Sequence, residues 1–214
     1  MTRVKICGLC RPEDAGVAEA AGADYIGVIL APGGPRSQPI EAAAAIYAAA
    51  PGLKRVGVFV DASPETMASA ARRLGLDVLQ LHGAEDPRTV AALAADVGRE
   101  VWKAVRPRDR AEFLAAVDRY GPVADALLLD GWSERGAGGT GTRFPWDEVA
   151  AVRDRVPAGL RLVAAGGLHP GNVTEAVARL SPDIVDVSSG VERRVGEKAP
   201  ERVRAFVAAV RGVA

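Results

Sequence analysis

Short runs of apolar residues bounded by Gly, Asp or Pro recur along the chain, at positions 3–7, 25–30, 55–60, 78–81, 101–105, 126–129, 160–164 and 184–187. Within each run the apolar residues are nearly continuous rather than alternating with polar ones, the pattern of parallel strands covered on both faces. The segments between them follow a different period. Phe113, Val117 and Tyr120 stand at i, i+4 and i+7, as do Val173, Val177 and Leu180, while Val203, Phe206, Val207 and Val210 make a fuller stripe. Such spacing gathers apolar side chains on one face of a helix, ready to be buried against strands. Pro12, Pro64 and Pro170 stand where first helical turns begin, Ser63 is placed to cap the helix at Pro64, and Gly22 and Gly75 supply stops.

Eight strands, each followed by a helix, predict a single-domain α/β chain folded as a (β/α)8 TIM barrel over residues 1–214. A doubly wound open sheet is the alternative. The two differ in whether the first and last strands pair. No Pro/Gly/Ser linker divides the chain, and its length suits one large core.

In a barrel of this kind, chemistry collects at the C-terminal ends of the strands. Cys7-Gly8, Arg36 in a glycine-rich loop, His82-Gly83, Asp130, Gly166-Gly167 and Ser188-Ser189-Gly190 all follow predicted strands. Glycine turns after strands seven and eight aim backbone N–H groups at one point and suit a phosphate. Taken alone, Gly166-Gly167 reads equally well as a tight turn, Cys7 as a small buried hydrophobe and Asp130 as a turn residue.

Charge and cysteine content narrow the classes. The chain carries 27 basic and 27 acidic residues, which is not the footprint of a nucleic-acid binder. Two cysteines three positions apart make no disulfide framework and fit a reducing compartment, so the cytoplasm is expected. No apolar run reaches the ~18 residues of a membrane span, and no leader is expected. The Cys7-Gly8-Leu9-Cys10 spacing also raises a redox pair, a zinc set with His82 and His169, or a disulfide that would trap Cys7.

Lys5-Ile6-Cys7-Gly8-Leu9, Gly57-Val58-Phe59-Val60, Gln80-Leu81-His82-Gly83, Leu128-Leu129-Asp130, Gly138-Gly139-Thr140-Gly141 with Phe144 and Trp146, Gly166-Gly167-Leu168 and Asp186-Val187-Ser188-Ser189-Gly190-Val191-Glu192 follow one another along almost the whole chain. In this order and spacing the chain resembles the phosphoribosylanthranilate isomerase family. The resemblance implies a small (β/α)8 barrel of tryptophan biosynthesis. Its reaction would be the Amadori rearrangement of N-(5'-phosphoribosyl)anthranilate to 1-(2-carboxyphenylamino)-1-deoxyribulose 5-phosphate.

The resemblance further implies Cys7 as general base and Asp130 as general acid, with His82 and Asp186 near the substrate. Arg36 is placed to grip the anthranilate carboxylate, because a guanidinium offers two parallel N–H donors. Gly139 and Gly141 would join Gly166, Gly167, Ser188, Ser189 and Gly190 around the phosphate. The family pattern has a bulky and a β-branched residue after the arginine, where this chain has Ser37-Gln38-Pro39. No metal and no organic cofactor is implied. The expected partner is a small phosphorylated aminosugar, with no nucleic acid and no membrane, and the chain is expected to be a monomer or homodimer. The loop over residues 131–144 is long enough to serve as a lid.

The competing readings are an epimerase, an indoleglycerol-phosphate synthase, a tryptophan synthase α-chain, or a catalytically silent barrel. The first needs metal-binding histidines and the synthases a lysine or glutamate system. The Cys/Asp pair matches the isomerase instead.

Overall fold

The computed structural model describes residues 1–131 and 146–213. Its strands are β1 (Arg3–Ile6), β2 (Tyr25–Ile29), β3 (Lys54–Phe59), β4 (Val78–Leu81), β5 (Glu100–Val105), β6 (Ala126–Leu129), β7 (Arg161–Ala164) and β8 (Ile184–Val187). They close into a parallel barrel in sequence order. Closure is made by β1 against β8, in register from Arg3↔Ile184 to Ile6↔Val187. The open-sheet alternative is thereby excluded.

The helices are α1 (Pro12–Ala20), α2 (Ile40–Ala48), α3 (Pro64–Leu74), α4 (Pro87–Val97), α5 (Arg110–Tyr120), α6 (Trp146–Ala150), α7 (Val173–Leu180) and α8 (Pro200–Arg211). The stripes read from the sequence are the buried faces of α5, α7 and α8. Ser63 Oγ accepts the Thr66 N–H at 3.2 Å, and Gly75 ends α3 in the left-handed region. Pro170, in contrast, does not open a helix. A turn intervenes, in which Asn172 Oδ1 accepts the His169 N–H at 2.8 Å, and α7 starts at Val173 with Asn172 at its N-cap. A hairpin of β9 (Glu192–Arg194) and β10 (Glu197–Lys198), absent from the sequence reading, stands outside the barrel before α8.

Two apolar layers hold the barrel. Between strands and helices lies the larger, which includes Ile6, Leu9, Val28, Leu81, Leu129 and Val187. Inside the barrel is the smaller, built on Tyr25, Val56, Val78, Trp102, Ala126, Leu128, Val163 and Ile184. Trp102 and Tyr25 meet edge to face at 5.2 Å, favourable for the ring quadrupoles. Side chains alternate along a strand. The inward set therefore continues upward from Ile184 to Asp186, from Val78 to Gln80 and His82, and from Ala126 and Leu128 to Asp130. Apolar residues fill the floor and polar ones the mouth. Among the described residues no helix is long and apolar enough to cross a membrane.

Candidate active site

A cavity of about 330 Å³ opens at the C-terminal rim of the barrel. Cys7, Arg36, His82, Asp130, Gly166, Gly167, Asp186, Ser188 and Ser189 all line it. Cys7 follows β1 and Asp130 follows β6, so the expected base and acid face one space from different parts of the ring. Gly190 lies behind this lining in a 3-10 turn (Ser189–Val191), where a Cβ would stand 1.9 Å from the Leu168 carbonyl oxygen. Gly139, Gly141 and the lid expected over 131–144 lie outside the described residues, apart from Gly131.

Asp130 is held from three sides. Its Oδ1 accepts the Gly131 N–H at 2.9 Å, His82 Nε2 stands 3.2 Å from Oδ2, and Arg106 Nε stands 3.8 Å from the same oxygen. The last distance is too long for a hydrogen bond, so Arg106 supplies positive charge alone. Gln80 Nε2 lies 3.0 Å from His82 Nδ1. With the amide donating to Nδ1, the imidazole keeps its proton on Nε2 and gives that hydrogen bond to Asp130. Gln80 was not singled out in the sequence. Its signal is the i, i+2 relation to His82, which puts both side chains on the inner face of the strand.

The Cys7 sulfur is almost wholly enclosed. Burial pushes its thiol up, and the nearby Asp186 carboxylate pushes it the same way, against the pull of Lys5. Both cysteines are free. Cys10 Sγ lies 3.7 Å from the carbonyl oxygens of Gly8 and Arg36 and packs against the hairpin at Gly196, and it is not part of the cavity lining.

Arg36 occupies the lip opposite β6, and Glu192 takes its fork: Nε to Oε1 at 2.7 Å and Nη2 to Oε2 at 2.6 Å. Lys198 Nζ donates to Glu192 Oε1 at 3.0 Å and to the Ser188 carbonyl at 3.1 Å, tying the hairpin to the turn after β8. The divergent segment after Arg36 is itself well anchored. Ser37 Oγ accepts the Gly34 N–H at 2.9 Å, and Gln38 N donates to the Ile29 carbonyl at 2.9 Å. Gly166 and Gly167 both sit at positive φ, 73° and 67°, where a side chain is strained. The resulting turn brings their backbone beside Ser188 and Ser189 on the rim. The N–H groups of Gly167, Ser189 and Gly190 donate to no backbone acceptor among the described residues. Unspent donors in two neighbouring turns at the rim are suited to an anion.

A closed parallel barrel with a thiol, a carboxyl group and an anion-ready pair of turns around one mouth defines a (β/α)8-barrel enzyme acting on a small molecule. The family model described as N-(5'phosphoribosyl)anthranilate (PRA) isomerase matches residues 4–209. A relative named N-(5'-phosphoribosyl)anthranilate isomerase, from Rubrobacter xylanophilus, is 44% identical over 212 residues, covering 99% of this chain and 100% of its own. The solved phosphoribosyl anthranilate isomerase of Thermotoga maritima superposes with a TM-score of 0.89 at 35% identity, covering 99% of this chain and all of that one. A further solved isomerase, in complex with reduced 1-(o-carboxyphenylamino)-1-deoxyribulose 5-phosphate, gives a TM-score of 0.86 at 33% identity, with 99% and 100% covered. The chain belongs to the N-(5'-phosphoribosyl)anthranilate isomerase family, the isomerases that perform the Amadori rearrangement of tryptophan biosynthesis.

Proposed function

We propose that the rim cavity performs this rearrangement with Cys7 as general base and Asp130 as general acid, without metal or organic cofactor. The observation that carries the assignment is that both side chains line one cavity, bordered by the turns after β7 and β8. Asp130 gives a proton to the furanose ring oxygen as the C1'–O bond breaks, leaving an iminium ion. Cys7, as thiolate, then takes the C2' proton, and the electron pair of that C–H bond becomes the C1'=C2' bond of an enaminol. Tautomerisation yields the amino ketone. Two separately held proton carriers are what such a sequence requires.

The 5'-phosphate is assigned to the N–H groups around Gly166, Gly167, Ser188, Ser189 and Gly190, with Gly139 and Gly141 retained as family-implied contributors outside the described residues. Arg36 is assigned to the anthranilate carboxylate. Glu192 holds the plane of its guanidinium and leaves other N–H donors of the fork for the ligand. His82 orients Asp130 and faces the sugar, and Asp186 borders the sugar beside Cys7. The solved relative bound to a reduced product analogue supports a ligand of this class. The chain is assigned to the cytoplasm on its two free thiols.

The test follows the fluorescence of phosphoribosylanthranilate mixed with purified protein. The expected result is enzyme-dependent disappearance, with KM raised about tenfold or more in Arg36→Gln, since one charge-assisted contact is worth roughly 1.5–3 kcal/mol. Absence of turnover by the wild-type protein would overturn the function, and an unchanged KM would remove Arg36 from the substrate contacts.

A further inference from the structure

Lys5 is completely buried on the inward face of β1, beside the apolar cluster inside the barrel. It lies two residues before Cys7, on the same face of β1. Its Nζ donates to Asp186 Oδ1 at 3.0 Å, and the two residues are register partners across the β1–β8 seam. On the neighbouring strand, Gly27 presents a bare Cα to both groups. A methyl there would stand 3.0 Å from Cys7 Sγ, 3.0 Å from Lys5 Cε and 3.1 Å from Lys5 Nζ. The sulfur and the ammonium therefore share the space that glycine leaves open.

We propose that Lys5 is a positioning residue of the reaction: its ammonium, clamped by Asp186 and packed beside the Cys7 sulfur over Gly27, is the fixed counter-ion of the Cys7 thiolate. The proposal rests on the reading of Cys7 as the base. Burial opposes the charge on Lys5, but Asp186 and Cys7 more than offset it and hold its pKa above the ordinary lysine value. Lys5 is thus an ammonium whenever Cys7 ionises. Asp186 has two opposing effects, since it fixes the cation yet disfavours the thiolate directly. The other groups that sense the sulfur are Lys198 from β10, Arg36 from the loop after β2 and Tyr47 from α2. Of the cations, Lys5 has the largest influence on Cys7, and it is fully enclosed. A counter-ion already in place removes the reorganisation that solvent would otherwise undergo as the proton moves.

The two members of the pair carry opposite signs, and this makes the test sharp. In a Cys10→Ser background Cys7 is the sole thiol, and its alkylation by iodoacetamide is followed as a function of pH. Lys5→Met keeps volume and removes charge; at fixed pH its alkylation is expected to slow about tenfold, one tenfold step for each pH unit the thiol rises. Asp186→Asn is expected to speed alkylation. A merely loosened site would expose the sulfur and speed both. Equal rates, or shifts of the same sign in the two variants, overturn the proposal. Should Lys5→Met fail to fold, Lys5→Gln takes its place in the same assay, and unchanged or faster alkylation counts against. Alkylation reads ionisation without turnover, so failure here is distinguishable from failure of Cys7 as the base, which turnover of a Cys7 variant reports.

Discussion

At the scale of single residues, the site is built from pairs two positions apart on inward strand faces. Lys5 and Cys7 form one, Gln80 and His82 another, and Asp186 and Ser188 a third. The sequence shows Cys7, His82 and Asp130 readily, because polar groups at the ends of apolar strands are conspicuous, whereas Asp186, inside the eighth run, is marked only by the family resemblance. Lys5 and Gln80 escape notice because a lysine or glutamine near a strand end ordinarily reads as solvated. Period two supplies the missing signal once the neighbouring site residue is known. Arg36 was legible as a cation at the mouth, but its clamp by Glu192 joins residues 156 apart and leaves no local trace.

A consequence at this scale concerns His82. If the Gln80 amide fixes its tautomer, Gln80→Leu frees the imidazole to place its proton on either nitrogen. The expected outcome is kcat lower by about tenfold with KM little changed, a loss confined to the proton-transfer step. Steady-state kinetics check this, and a rise in KM at constant kcat would show that Gln80 serves binding instead.

At the scale of elements, the eight strands were readable to within a residue at either end, since each is buried on both faces and flanked by Gly, Asp or Pro. The β9–β10 hairpin was not. Its sequence, Glu192-Arg193-Arg194-Val195-Gly196-Glu197-Lys198, contains one apolar side chain and no alternation. Its order comes from ions: Glu192 joins Arg36 and Lys198, and the latter is almost wholly buried. The attraction of Arg36 and Lys198 outweighs burial and holds the Glu192 carboxyl below its ordinary range.

Removing that carboxylate leaves two enclosed cations facing each other. Glu192→Ala is therefore expected to cost about 3 kcal/mol of folding stability, in the range seen when one partner of a buried ion pair is deleted. Urea unfolding measures it, and a loss below about 0.5 kcal/mol would show the cluster to be a weakly coupled surface pair. An independent case is the start of α5, where Asp109 Oδ1 accepts the Glu112 N–H at 2.8 Å. Asp109→Ala is expected to cost about 1 kcal/mol by the same measurement, the usual value of an N-cap; no change would show the cap to be replaceable by solvent.

At the scale of the whole molecule, ring closure is what makes the site. Cys7 and Ser188 directly follow the first and last strands, and only the β1–β8 seam places them around one mouth. The floor keeps the ring closed: Trp102 fills it, edge to face with Tyr25, with its Nε1 donating to Glu100 Oε2 at 3.1 Å. Trp102→Ala is expected to destabilise the barrel by about 3–5 kcal/mol through lost burial and the cavity left behind. Chemical denaturation reports this, and a cost under 1 kcal/mol would mean that the floor does not brace the ring. Closure was predictable only indirectly, from the count and order of strand–helix units, because pairing between distant strands leaves no mark in either segment.

The central claim, that a sulfur and a carboxyl group on opposite arcs of this ring move the two protons, is tested most directly by measuring kcat on phosphoribosylanthranilate for Cys7→Ala and Asp130→Asn beside the wild type. Each substitution is expected to lower kcat by ~10²-fold or more with substrate binding largely kept. Turnover within a few-fold of wild type in either variant would contradict it.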